Sequence, residues 1–242
     1  MSRRRNRPRR KSPRLRRRLP RPSRRPVNDL TDSPIMPTRI WLMRHAETAA
    51  PGIFHGAESN IGLSERGVRQ ARAAAAFLAN VGATAVVSSA MRRAIDTATP
   101  IAEACRLSLR IEAGLHERRV GMLGGLPTSP EHPLWTETLN RWLDGQTSFT
   151  TEGAESFDAI RARVLPVWNR LAADFSNQSV IVVAHGIVCR VLLLSVLPGV
   201  TVADWKQLGS IRNLAISDLT YDGVIWRATS LNQVPDLVER EV

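Results

Sequence analysis

Between Ser179 and Val200 the chain reads SVIVVAHGIVCRVLLLSVLPGV. By length alone this run could cross a bilayer, which takes about 20 apolar residues. His185, Gly186 and Arg190 stand in its middle, where an ionisable side chain is costly in hydrocarbon. The run therefore divides into SVIVVAH, a β-branched buried strand, and GIVCRVLLLSVL, a buried helix. A buried strand leading straight into a buried helix belongs in a sheet covered by helices on both faces. No membrane span is expected.

The same alternation recurs from Arg39 onward. Ile40 to Met43 form a first strand, followed by loop material through AAPGIFHGAESNIG. Ser64 caps a helix over SERGVRQARAAAAFLAN, TAVVSS is a short strand, and AMRRAIDTATPIAEAC is a second helix that Pro100 should bend or divide. LSLRIEA alternates as a third strand. A helical stretch over Leu134 to Leu143 carries Trp135 and Trp142, and ESFDAIRARVLPVWNRLAADF is an amphipathic helix with Pro166 as its expected kink. NLAISDLTYDGVIWRATSLN reads as two strands joined at Asp222-Gly223. The expected fold is three-layer α/β/α, its central sheet largely parallel with an antiparallel edge.

The formal charge of +12 suggests a nucleic-acid binder until it is located. Residues 1–35 hold fourteen Arg and Lys against Asp29 and Asp32, which leaves twenty basic and twenty acidic residues in the rest. The body, expected as one domain over 38–236, is neutral. The tail has six prolines and few apolar residues, so it cannot offset its ordering entropy by burial. It reads as a solvated extension or as the product of a start codon placed upstream of Met36. A basic arm for nucleic acid is the other reading, and any such partner would act through the tail alone. Cys105 and Cys189 make neither a disulfide framework nor a metal spacing, so a reducing cytoplasm is the default location.

Ligands of open α/β sheets gather beyond the carboxyl ends of the strands. Unusual residues collect there. The first strand ends in Arg44-His45, VIVVA ends in His185-Gly186, Arg92-Arg93 follow AVVSS, and His116-Glu117 follow LRIEA. Arg92 and Arg93 point about 100° apart on a helix, so one of them is a surface charge. No His-Glu-x-x-His, Cys-x-x-Cys, Gly-x-Ser-x-Gly or Walker pattern occurs, and GMLGG at Gly121 to Gly125 reads as a turn. Guanidinium groups beside an imidazole suit a phosphate group, which arginine binds bidentately. A neutral imidazole can attack phosphorus, and a carboxylic acid can protonate the departing alkoxide.

Six segments, in order, resemble those of the histidine phosphatase (phosphoglycerate-mutase-like) superfamily: LMRHAET, LSERGVRQA, VVSSAMRRAIDTA, LHERRVGMLGG, AESFDAIRARV and VVAHGIVCR. The resemblance spans about Arg39 to Leu231. It implies that His45 is a nucleophile that becomes phosphorylated and that Glu117 is the general acid and base. It also implies that Arg44, Arg93 (rather than Arg92) and His185 hold the phosphoryl oxygens together with His45. Thr48 and His55 are candidate substrate contacts, whereas Glu47 reads as a local pairing residue. Neither metal nor cofactor is called for.

The chain departs from the family pattern in places. Ala46 replaces a Gly, Pro51 stands where many members carry Asn, and Asn60 and Gly62 stand where Asp and Pro are frequent. The expected activity is hydrolysis of a small phosphorylated metabolite. The alternatives are mutase-type phosphoryl transfer, against which the missing arginine-rich insertion before Gly153 counts, and a nucleic-acid-associated protein using the basic arm.

Overall fold

A computed structural model describes residues 37–240. The expectations for the tail lie outside the described residues. The elements run β1 (Thr38–Arg44), α1 (Glu65–Leu78), β2 (Ala85–Ser89), α2 (Arg92–Cys105) and β3 (Leu109–Glu112), then α3 (Pro133–Leu143), α4 (Phe157–Asp174), β4 (Ser179–Ala184) and α5 (Gly186–Val196), and finally β5 (Ile216–Tyr221), β6 (Trp226–Gln233) and α6 (Asp236–Glu239). Short 3₁₀ turns at Ala113–Leu115, Gly121–Leu123 and Val202–Lys206 join them.

The sheet order is β3-β2-β4-β1-β5-β6. β1 to β4 are mutually parallel, β5 runs antiparallel to β1, and β6 closes the edge antiparallel to β5. Alternate residues of each strand serve opposite layers. Ile40 and Leu42 of β1 join Val180, Val182 and Ala184 of β4 in a core shared with α4 and α5. Met43, Ile181 and Val183 face a second core with α1 and α2. The apolar run at Ser179 does divide into β4 and α5, and no helix among the described residues is long and apolar enough to cross a membrane.

Local chemistry explains most element starts. The Ser64 hydroxyl accepts the Gly67 amide at 2.9 Å and Ser156 accepts the Ala159 amide at 3.1 Å, so each caps its helix. Asp222 accepts the Val224 and Ile225 amides, both at 2.9 Å, and Gly223 takes φ 95°, so the β5–β6 turn spans four residues.

Both prolines sit inside continuous helices. α2 runs unbroken through Pro100 and α4 through Pro166, so neither divides its helix. Burial of Ala98, Ile101 and Ala102 in one case, and of Val164, Val167 and Trp168 in the other, outweighs the backbone bond each proline forgoes. GMLGG, expected as a turn, forms the 3₁₀ turn at Gly121–Leu123, where Glu58 accepts the Val120 and Gly121 amides at 3.0 and 3.1 Å.

Candidate active site

Strand register brings the two imidazoles together. Arg44 pairs with Ala184 across the parallel β1–β4 ladder, so the next residues, His45 and His185, leave the sheet side by side. Their rings meet edge to face with centroids 5.2 Å apart. β2 and β3 end at the same sheet edge, and they deliver Arg93 in the first turn of α2 and Glu117 in the loop after β3.

A carbonyl sets the His45 tautomer. Nδ1 lies 2.7 Å from the Ala46 oxygen, which can only accept, so Nδ1 carries the proton and Nε2 keeps its lone pair. Burial, reinforced by the charges of Arg44 and Arg93, holds the His45 pKa well below the ordinary histidine value, so the ring is neutral. The Asn213 side chain donates to the His45 carbonyl at 2.8 Å and fixes the turn. His185 is completely buried, and its pKa is pushed well down by burial and the neighbouring His45. Its Nε2 pairs with the Ser89 hydroxyl at 2.8 Å, while Nδ1 is buried without a partner.

A cavity of about 510 Å³ opens over His45. Arg44, Arg93, Arg118, Arg190 and Glu117 face it, as do Thr48 and His55. His185 does not line it; it stands in the wall beside His45. A shallower depression of about 450 Å³ on α3 contains no imidazole.

All four guanidinium groups are held by neutral backbone carbonyls. Arg44 donates to Ile211 at 2.7 Å, and Arg93 to Ser59 and Gly56, both at 2.8 Å. Arg118 donates to Glu155 O at 2.9 Å and Arg190 to Gly209 O. Arg92, by contrast, is exposed and pairs with Asp96 at 3.5 Å, so its neighbour is the one that faces the cavity. Glu117 accepts the Arg118 amide at 2.8 Å and the Ile187 amide at 3.2 Å. The first turn of α5 thus spends its Ile187 amide on Glu117.

Other residues near the cavity are held by local hydrogen bonds. Glu47 accepts the Ser64 hydroxyl at 2.7 Å and pairs with Arg66 at 3.3 Å. Both ring nitrogens of His55 are engaged, Nδ1 with Ser59 Oγ at 3.0 Å and Nε2 with Ala50 O at 2.8 Å; Thr48 Oγ1 lies 3.3 Å from Nε2. Asn60 accepts the Arg92 amide at 2.8 Å and so caps α2. Arg118, Arg190 and Asn213 are cavity residues that sequence reasoning did not assign. Arg190 stands in the sequence only as a charge inside an apolar run.

The model of the histidine phosphatase superfamily (branch 1) matches residues 40–234. A bifunctional protein of Mycobacterium tuberculosis is 34% identical over 189 residues, covering 77% of this chain and 52% of that protein. The chain thus spans about half the length of the first curated relatives it matches. A metal-independent phosphoserine phosphatase of Arabidopsis thaliana is 35% identical over 164 residues, 66% of this chain and 68% of that one. The solved mycobacterial glucosyl-3-phosphoglycerate phosphatase superimposes with a TM-score of 0.69 at 28% identity, over 80% of this chain and 98% of that one. The family match begins within β1 and ends just past β6, and this chain belongs to the histidine phosphatase superfamily.

Proposed function

We propose that the protein is a phosphatase hydrolysing small phosphate monoesters through a phosphohistidine on His45. The observation that carries this reading is the neutral, tautomer-fixed ring facing a cavity ringed by guanidinium groups. Phosphate esters are what the phosphatase relatives act on by name. In the first step the Nε2 lone pair bonds to phosphorus as the ester P–O bond breaks. The protonated Glu117 carboxyl gives its proton to the departing oxygen. The ring, now cationic, keeps its Nδ1 proton on the Ala46 carbonyl.

In the second step water attacks phosphorus, Glu117 takes the water's proton, and the P–N bond breaks to return neutral His45. Arg44 and Arg93 stabilise the equatorial oxygens, with the unpartnered Nδ1 of His185 as a further contact once phosphorus is bound to the neighbouring ring. Thr48 and His55 reach substrate from the loop wall. No step requires a metal or cofactor. The two free thiols, Cys105 and Cys189, suit a cytoplasmic setting.

Hydrolysis of p-nitrophenyl phosphate, lost in His45→Ala, tests this reading. Denaturing the enzyme during turnover traps an acid-labile, base-stable phosphoryl group on His45. Normal turnover by His45→Ala sinks the nucleophile assignment. Phosphate release to water without added bisphosphoglycerate separates hydrolysis from mutase transfer. Residues 1–35 are proposed to be an extension outside this chemistry, with the 38–236 domain as the catalytic unit; a chain starting at Met36 should keep full turnover. Salt-sensitive binding of DNA that disappears with the same truncation would instead assign the tail to nucleic acid.

A further inference from the structure

The charge around the cavity exceeds what one phosphate ester requires. Among the described residues, none of Arg44, Arg93, Arg118 and Arg190 is in ion-pair contact with a carboxylate; each bonds only to backbone carbonyls. Of the carboxylates near them, Glu117 faces the cavity, while Glu58 holds the Val120 and Gly121 amides, Glu155 is paired with Arg163, and Glu47 is taken by Ser64 and Arg66. A monoester dianion therefore leaves the cavity positive, and more so while Glu117 carries the proton it is to donate. Uncompensated buried charge is expensive, and a fold that retains it does so for a ligand.

The surplus charge has its own seat. Arg118 is 1% exposed, and its Cζ lies 5.4 Å from the ring centroids of both Trp135 and Trp142. Arg190 lies 4.5 Å over Trp205. These rings form one cluster, with Trp205 5.6 Å from Trp142 and 6.1 Å from Trp135. Both arginines thus rest on one aromatic platform that desolvates and orients them. Each also keeps a buried nitrogen without a partner, Nη2 of Arg118 and Nε of Arg190, while facing the cavity.

We propose that Arg118 and Arg190 form a second anion subsite, so that the preferred substrate is a phosphate monoester bearing a further carboxylate or phosphate. This rests on the phosphatase reading above and names its substrate class. Burial lowers both guanidinium pKa values to about 10, so an incoming anion meets cations that water screens poorly. The guanidinium fork suits the planar or tetrahedral oxygens that the two anions share.

The test compares matched esters: 3-phosphoglycerate with glycerol 3-phosphate, and fructose 1,6-bisphosphate with fructose 6-phosphate. The doubly anionic member should lead in kcat/KM by about tenfold or more in one pair, and that pair identifies the second anion. Arg190→Gln should shrink the lead to within about threefold, and Arg190→Lys should keep part of it. Equal kcat/KM within both pairs overturns the subsite, as does a lead that survives Arg190→Gln. Calorimetric titration of the His45→Ala variant with the same esters reads the subsite without turnover. If no ester is hydrolysed but the doubly anionic one binds more tightly, the phosphatase reading falls and the subsite stands. Equal binding beside normal hydrolysis removes the subsite and leaves the phosphatase reading standing.

Discussion

Arg163 on α4 grips Glu155 through two parallel bonds of 2.9 Å, and with its remaining nitrogen holds the carbonyls of Gly114 and His116 at 2.8 and 2.9 Å. Glu155 in turn accepts the Arg119 amide at 2.9 Å. The segment carrying Glu117 is therefore clamped from both sides. Burial raises the Glu155 pKa, but the bonds from Arg163 and Arg119 outweigh it and hold the carboxyl below its usual value.

Breaking this clamp should loosen Glu117 without touching the nucleophile. Arg163→Met is expected to cost about 2–4 kcal/mol of stability, since the mostly buried Glu155 loses its partner. It should lower kcat by about tenfold or more with a smaller change in KM. Arg163→Lys should recover part of kcat. Denaturant titration and steady-state kinetics on the two variants check this; equal loss of kcat in both would remove the positioning role.

Gly67 has no room for a side chain. A Cβ there would lie 2.1 Å from the Glu47 carbonyl oxygen, part of the loop that follows His45. Gly67→Ala should therefore push α1 away from that loop, at a cost of about 1–3 kcal/mol, and reduce turnover. Gly82→Ala is a useful contrast: its site is spatially open, and only its φ of 72° is strained. Thermal unfolding of both variants, with activity measured in parallel, should show loss of activity only for the first.

Acid should weaken the fold through the two imidazoles. Burial keeps His45 and His185 neutral in the folded protein, whereas in the unfolded chain they take up protons near pH 6.5. Below that pH the unfolded state binds more protons, so their contribution is complete above about pH 6.5 and is lost as the pH falls. Each ring can contribute a slope of up to about 1.4 kcal/mol per pH unit. Denaturant titrations between pH 7.5 and 5 should show stability falling, and the His45→Ala, His185→Ala double variant should flatten that slope. Stability that rises with acid would mean the rings are charged in the fold.

Chelators should leave turnover unchanged. Four guanidinium groups already face the cavity, so a divalent cation there would add to the repulsion. Among the described residues no group of His, Cys, Asp and Glu side chains is arranged to hold a metal ion. Hydrolysis assayed after dialysis against EDTA should stay within about twofold of the untreated rate, and loss restored by magnesium or zinc would contradict the proposed chemistry.

The strands, the order of the elements and the residues at the strand ends follow from the local pattern of the chain. His45 and His185 were legible because Arg44-His45 follow the apolar run Ile40 to Met43 and His185 closes VIVVA, and a charged or polar residue there must face the sheet's rim. Ser64 was legible as a cap for an equally local reason. The rest came from packing in three dimensions. Only pairing β1 with β4 sets the two rings 5.2 Å apart, and only packing shows that α2 and α4 continue through their prolines. The platform beneath Arg118 and Arg190 joins α3 to the 3₁₀ turn at Val202–Lys206, and Asn213 reaches back to His45 from just before β5. These contacts link residues far apart in the chain, and no local period or cap announces them, because the energy that selects them comes from burial shared between distant segments.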